Sequence, residues 1–285
     1  MIIRTMLPAD IPEGLALCRA NGWNQLAADW GRLLALGREG CVVAETDGRV
    51  VGTTTTVDYE GRFAWIGMVL VDQAARGQGI GTALVEHALR TLGDVPARLD
   101  ATPKGLPLYQ RLGFVEESRI CRMTRNPADQ PVDALGSGPG RPAARRMRES
   151  DLATIAIWDR AVFGADRANL LAWAFAVAPE RAWIVEGSTG LRGYCLGRPG
   201  YTWSQVGPVV ATDLEAAFSL VAACVSASAA VPMVLDASAC APDWAGRLAG
   251  LGFVEQRPFI RMCRGVNAHP GEGEQQYAIF GPEWG

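Results

Sequence analysis

The chain has 285 residues, 49% of them hydrophobic and 20% charged, with a formal net charge of −3. That length leaves room for two domains of ordinary size, and the composition is that of a folding chain rather than a disordered one. The small net charge gives no electrostatic reason to expect nucleic acid or an anionic membrane surface as a partner.

Taken in order, residues 2–6 read as a short strand, and Asp10 stands where it would cap a helix running toward Ala20. Residues 41–45 and 50–57 are β-branched runs joined by Asp47-Gly48, a hairpin signal. Residues 65–71 form a continuous apolar strand, 82–92 carry helical spacing, and 97–101 read as another strand. A short helix is predicted over 106–112 with Gly113 as its stop, and residues 114–123 close as a strand. The order is mixed α/β.

The second half repeats the first. VPARLDA from Val95 returns as VPMVLDA from Val231, and LGFVE at Leu112 returns at Leu251. Arg122-Met123 returns as Arg261-Met262, and Arg4, Met6 and Asp10 return as Arg145, Met147 and Asp151. Four matches in the same order, at a nearly constant offset of about 140 residues, predict two copies of one fold. The Pro- and Gly-rich stretch between them reads as a linker. The expected organisation is therefore a first domain over 1–126, a linker over 127–143 and a second domain over 144–285.

Seven cysteines (Cys18, Cys41, Cys121, Cys195, Cys224, Cys240, Cys263) are scattered, odd in number and without a CxxC pair. They predict reduced thiols in a cytoplasmic protein, with no disulfide framework and no metal site. The first ten residues hold Arg4 and Asp10 and no apolar core, so no secretory leader is expected. Residues 216–235 carry no charge and are long enough to cross a bilayer, but they include Ser219, Ser226, Ser228 and Pro232. The repeat aligns this stretch with a helix followed by a strand, which removes the membrane-spanning reading.

The strongest chemical signal is Arg76-Gly77-Gln78-Gly79-Ile80-Gly81, between the apolar strand and the helix that follows it. Glycines let backbone approach a ligand and adopt positive φ, and the N–H groups of such a turn make a concavity for anions. The helix N-terminus adds partial positive charge, and Arg76 a full one, so the pattern points to pyrophosphate binding. A Walker A loop is excluded because Gly-Lys-Ser/Thr is absent. The antiparallel hairpin upstream argues against a dinucleotide fold. On the loop alone, a turn used only for close packing remains open.

Arg76-x-x-Gly79-x-Gly81, after Met68-Val69-Leu70-Val71 and before a helix, resembles the acyl-CoA-binding motif of the GNAT family of N-acyltransferases. Leu108-Tyr109-Gln110-Arg111-Leu112-Gly113-Phe114 resembles the family's second signature. The resemblance covers residues 1–125, and the second half resembles a degenerate copy. Gly22-Trp23-Asn24-Gln25, Asp100-Ala101-Thr102-Pro103 and the segment from Tyr277 to Gly285 resemble a bacterial tandem group.

This resemblance implies two domains, each a mixed, mostly antiparallel sheet flanked by helices. It implies acetyl-CoA as co-substrate, with its pyrophosphate on Arg76, Gly77, Gln78, Gly79, Ile80 and Gly81, and Thr82 at the helix start. The pantetheine arm would pair as an added strand with Val69 and Val71. Backbone N–H groups near Val69 and Leu70 would stabilise developing negative charge. Tyr109 would donate a proton to the leaving thiolate. The acceptor implied is a small-molecule amine, attacked directly, in a monomer or homodimer.

No general base is determined. Asp58, Glu60 and Asp100 lie on or beside strands near the site, and a water chain is an equal alternative. His87 and His269 are the only histidines, which leaves Ser/His/Asp and Cys/His schemes poorly supported.

In the second half, Arg76 aligns with Ala216, Gly79 with Ser219 and Tyr109 with Leu248, and Asp213 and Glu215 stand where phosphate would lie. One cofactor site is expected, in the first half. The aromatic residues Trp173, Trp183, Tyr194, Tyr201, Trp203 and Trp244, some of them core, are expected to help close an acceptor pocket, with Trp23 and Asn24 as substrate residues. The segment from Tyr277 to Gly285 is expected to dock rather than fray. Acylation of a protein or peptide, and non-catalytic acyl-CoA sensing, are the alternatives.

Overall fold

The structure, a computed structural model, describes residues 1–37, 39–127, 142–188, 190–238 and 243–285. Most of the expected linker and Cys240 lie outside the described residues. The chain forms two compact units. The first is Met1–Glu117, Ile260–Ala268 and Pro282–Gly285; the second is Ser118–Phe259 and His269–Gly281.

The first unit begins with β1 (Ile2–Thr5), α1 (Ile11–Ala20), α2 (Ala27–Leu36), β2 (Val42–Thr46) and β3 (Arg49–Tyr59). It continues with β4 (Phe63–Val71), α3 (Ile80–Leu92), β5 (Ala97–Ala101), α4 (Leu106–Arg111) and the start of β6 (Val115–Arg125). Strands β1 to β4 pair antiparallel in sequence order. Asp47 and Gly48, at φ 52° and 73°, make the expected turn between β2 and β3. β5 joins β4 in parallel, and Ile260–Arg264 pairs antiparallel with β5 on its other edge.

Helix α3 packs Val85 and Ala88 with Ile66, Leu99 and Met262, and Ile80 and Leu84 with Val42 and Ala44. A side chain at Gly14 in α1 would come within 3.0 Å of the Trp30 ring in α2, so glycine lets these helices approach closely. Helix α2 has no counterpart among the predicted elements. Its apolar positions Trp30, Leu33 and Leu34 are spaced for one buried face, but Gly31 interrupts a pattern of only ten residues.

Asp10 does not cap α1 through its side chain. Its carboxylate accepts from the Leu7 N–H at 2.7 Å and from both terminal nitrogens of Arg4 at 2.8 Å. The repeat is structural here, since Asp151 accepts from the Arg148 N–H at 2.7 Å and pairs with Arg145 at 2.9 Å.

The second unit holds β7 (Ala144–Arg146), α5 (Leu152–Phe163), α6 (Ala168–Val177), β8 (Trp183–Gly187) and β9 (Gly190–Arg198). Then come β10 (Ser204–Ala211), α7 (Leu214–Ala227), β11 (Met233–Ser238), α8 (Trp244–Gly250), β12 (Val254–Arg264) and β13 (Gln276–Ala278). The uncharged stretch is indeed a helix followed by a strand, and no helix among the described residues is long and apolar enough to cross a membrane. Residues 120–125 of β6 pair antiparallel with β11, from Ile120↔Ser238 to Arg125↔Met233.

The compact units therefore differ from the boundaries expected at 126 and 144. Each half of the sequence sends its last strand to the other unit: the end of β12 borders β5, and the end of β6 borders β11. The segment after β13 also divides, with Gly281 in the second unit and Pro282–Gly285 in the first.

Candidate active site

Strand β4 is irregular where the chemistry is expected. Leu70 stands opposite Thr53 and Gly67 opposite Thr55, so Met68 and Val69 together face Thr54. This is a β-bulge. Met68 takes φ 50°, rare for a residue with a side chain. The Thr53 hydroxyl donates to the Met68 carbonyl at 2.7 Å and pins the bulge.

The parallel ladder between β4 and β5 covers Ala64↔Ala97 and Trp65↔Arg98, and among the described residues it ends there. Beyond it, among the described residues, no strand of the first unit pairs with the edge of Val69, Leu70 and Val71 turned away from β3. The second unit is different at the equivalent place. Its ladder between β10 and β11 runs from Ser204↔Met233 to Val206↔Leu235, and β13 then bridges the two strands. Ala278 stands opposite Val209 on one side and Ala237 on the other. The chain's own backbone occupies the gap in this unit.

The glycine loop runs from the end of β4 into α3. Gly77 and Gly79 take φ 79° and 78°, and Gly79 is the residue from which α3 starts. A side chain at either position would meet nothing within 4 Å, so the need for glycine is conformational rather than steric. The Ala83 N–H closes the first helical turn on the Gly79 carbonyl at 3.0 Å. Helix geometry leaves the N–H groups of Ile80, Gly81 and Thr82 without intrahelical partners. Arg76 and Gln78 are exposed, and the Arg76 guanidinium donates to the Asn21 side-chain oxygen at the end of α1. The equivalent helix α7 is capped by a carboxylate instead: Asp213 accepts from the Ala216 N–H at 3.0 Å and pairs with Arg192 at 2.8 Å. Fixed negative charge at that helix start opposes an anionic ligand.

Tyr109 lies on α4, buried, with its ring edge-on to Phe114 at 5.8 Å. A side chain at Gly105 would meet the Tyr109 ring at 3.0 Å, so this glycine makes room for it. Burial pushes the phenol well above its usual value, which keeps it a proton donor across the neutral range.

The loop Trp23-Asn24-Gln25 is held by Arg19, which donates to the Trp23 carbonyl at 2.9 Å and the Gln25 carbonyl at 2.7 Å. Trp23 is half-buried, and Asn24 and Gln25 are buried. The partner of this loop lies at the far end of the chain, where no local sequence signal marks it. Gln25 Nε2 donates to Glu283 Oε2 at 3.0 Å. Pro282–Gly285 is fixed in the first unit by Trp65 Nε1 donating to the Pro282 carbonyl at 2.9 Å and by the Tyr59 hydroxyl donating to the Trp284 carbonyl at 2.7 Å. A side chain at Gly67 would come within 3.0 Å of the Glu283 backbone, so Gly67 lets this segment lie against β4.

The carboxylates considered as bases have structural partners. Asp58 accepts from the Gly61 N–H at 2.8 Å, Glu60 is in the turn after β3 with Arg62 at 3.7 Å, and Asp100 binds Arg261. His87 lies half-buried on α3, and His269 falls in the second unit. Burial pushes the thiols of Cys18 and Cys41 up to about 12 and about 11, which leaves them protonated. Several aromatic residues of the second half are core or near it. Trp244 is buried and donates to the Tyr277 carbonyl at 2.8 Å, Tyr194 is buried against Asp159, and Trp173 stacks on Phe280. Tyr201 is exposed.

Two family models match the chain, each described as an acetyltransferase (GNAT) domain, over residues 37–116 and 155–278. Over 270 residues the chain is 25% identical to the holothin acyltransferase of a Pseudoalteromonas species, covering 93% of this chain and 88% of that protein. It is 32% identical over 125 residues to the uncharacterized N-acetyltransferase YhbS of Escherichia coli, covering 40% of this chain and 73% of that one. Its fold is that of the GCN5-related N-acetyltransferase from Sphaerobacter thermophilus, with a TM-score of 0.69, 17% identity, and coverage of 94% and 98% of the two chains. The chain thus belongs to the GNAT family of acyl-CoA-dependent transferases and carries two GNAT domains.

Proposed function

We propose that the chain transfers an acetyl group from acetyl-CoA to the primary amine of a small molecule, at one site built in the first unit. The observation that carries this reading is the contrast between the two gaps. Among the described residues no strand pairs with the outer edge of Val69–Val71, whereas in the second unit β13 fills the equivalent space. The residues present suit the co-substrate. An extended pantetheine arm would pair with the β4 edge by strand addition. Gly77 and Gly79 present a positive-φ turn to a pyrophosphate, with the N–H groups of Ile80, Gly81 and Thr82 beside it and Arg76 adding charge.

Acetyl-CoA supplies the acyl group and a thiolate that needs a proton. Tyr109 holds one, because burial disfavours its ionised form. The bulge turns backbone out of the β3 ladder at Met68 and Val69, where N–H groups of Val69 and Leu70 are suited to developing negative charge. A small acceptor is favoured because Gln25 and Glu283, beside β4, are 6% and 2% exposed. The name of the relative that matches most of both chains also specifies an acyltransferase.

Calorimetry with acetyl-CoA tests the cofactor assignment, and one site per chain is expected. Thiol release with paired panels of small amines and peptides tests the acceptor. Peptides that outcompete every small amine would reverse the substrate class, and two cofactor sites would remove the assignment to the first unit.

A further inference from the structure

Glu283, Gln25 and Thr55 are buried polar residues on the side of the sheet where the chain's last residues lie against Gly67. Glu283 is 2% exposed, Gln25 6% and Thr55 0%. Gln25 Oε1 and Thr55 Oγ1 take part in no hydrogen bond among the described residues. A buried polar atom left unmatched costs about 1–3 kcal/mol, so two such atoms on one side of the sheet point to a ligand that pairs with them.

Their placement is close. Gln25 Nε2 binds Glu283 Oε2 at 3.0 Å, which sets the Gln25 oxygen beside the carboxylate. Thr55 stands opposite Gly67 in the β3–β4 register, so both point to one face of the sheet. That is the face on which Glu283 lies, because a side chain at Gly67 would meet it at 3.0 Å. Gly67 immediately precedes the bulge residue Met68.

We propose that Glu283, Gln25 and Thr55 receive the acceptor's nitrogen and restrict the substrate to primary amines; this rests on the function proposed above. A primary ammonium has three N–H donors and one positive charge. The Gln25 oxygen, the Thr55 hydroxyl and the Glu283 carboxylate are three acceptors, one of them negative. A secondary amine puts a methyl group where one acceptor needs a hydrogen, and an alcohol brings no charge.

Nitrogen must lose a proton before it can attack. The Glu283 carboxylate takes it from R–NH3+, giving R–NH2 and a carboxylic acid, which returns the proton to solvent. As the C–N bond forms and the C–S bond breaks, nitrogen sheds a second proton. This balances the one that the departing sulfur takes up. Glu283 is thus a catalytic residue, supplied by a segment more than two hundred residues from the loop it meets.

The test uses the full chain, with benzylamine and n-butylamine and their N-methyl derivatives as probes. Glu283→Gln keeps the shape and the bond to Gln25. It is expected to lower kcat/KM for the primary amines about 100-fold, with the dissociation constant of acetyl-CoA, read by calorimetry, changed less than about twofold. Gln25→Leu and Thr55→Val are each expected to lower it about 10-fold and to narrow the preference for primary over N-methyl amines. A purely structural role would leave that preference unchanged. Calorimetry of n-butylammonium with each protein is the second readout: binding about tenfold weaker in Glu283→Gln supports the assignment. Equal binding, wild-type turnover by Glu283→Gln, or equal use of primary and N-methyl amines overturns it. Failure of the wild type to bind acetyl-CoA is read in its own titration and overturns the underlying function instead.

Discussion

Arg261 binds Asp100 through Nε at 2.9 Å and a terminal nitrogen at 3.0 Å, although the two residues belong to different copies of the repeat. The two side chains are covered, and they join β12 to β5. Its counterpart has the same form: Arg122 of β6 binds Asp236 of β11 at 2.7 and 2.8 Å. Both sheets are completed by the other copy's last strand.

Arg261→Met removes the bidentate cation from the Asp100 carboxylate, whose side chain is 0% exposed. A loss of about 3–5 kcal/mol is expected in chemical denaturation. Replacing both residues with apolar ones of similar size, Arg261→Met with Asp100→Leu, is expected to recover most of it, since the carboxylate then no longer needs a partner. Equal destabilisation by the single and double variants would show that the strand, and not the ion pair, carries the effect.

A fragment ending at residue 126 lacks Ile260–Arg264 and Pro282–Gly285, so β5 loses its outer neighbour and β4 loses the segment packed on Gly67. Such a fragment is expected to lack cooperative unfolding and acetyl-CoA binding, even though it contains the whole glycine loop and Tyr109. A fragment that folds and binds acetyl-CoA like the full chain refutes the dependence on the exchanged strand.

This exchange could not be read from the sequence. Arg-Met and the aspartate strands occur in both copies, so Arg122 has equal chemical reason to pair with Asp100 or with Asp236. Only the path of the chain breaks the tie. The elements with strong local signals were legible: the Asp47-Gly48 hairpin, β5 over its full length, and the turn into α3. The bulge at Met68 left no trace, because it arises from pairing with Thr53 and Thr55 across the sheet. Glu283 falls within the segment from Tyr277 to Gly285, but nothing local marks it out, since it meets Gln25 only in the folded chain.

Gly79→Val places a β-branched residue at φ 78°, where its backbone is strained by at least about 1 kcal/mol, and α3 would start differently. Acetyl-CoA binding is expected to fall by at least about 100-fold in calorimetry while global stability falls little, because the loop is exposed. Gly81→Ala is the control. Its new methyl would meet Leu108 and Val71 at ordinary distances of 3.6 and 3.7 Å, so weaker loss is expected.

Tyr109→Phe keeps the ring packed on Phe114 and removes only the proton. Turnover is expected to fall about 10- to 100-fold with acetyl-CoA affinity nearly unchanged. Because burial raises this phenol above its usual value, its ionisation should place no descending limb below about pH 10 in the wild-type profile. A descending limb near pH 8 that vanishes in Tyr109→Phe would contradict the buried donor.

The paired Arg4–Asp10 and Arg145–Asp151 contacts predict how the fold responds to acid. The hydrogen bond from Arg4 is the largest cause holding the Asp10 carboxyl below its ordinary value, and Arg145 does the same for Asp151. A carboxyl depressed in the folded state contributes stability above its unfolded value, near pH 4, and that contribution is lost as pH falls through the lower folded value. Asp10→Asn weakens the ion pair and the bond to the Leu7 N–H, and is expected to cost about 1–2 kcal/mol at pH 7. The cost should shrink as pH falls below about 4, because the wild-type carboxyl is neutralised once pH passes through its lowered folded value. Denaturation of wild type and Asp10→Asn from neutral pH down into acid measures the convergence, and curves that stay parallel would mean that the charge on Asp10 adds nothing beyond its hydrogen-bonding shape.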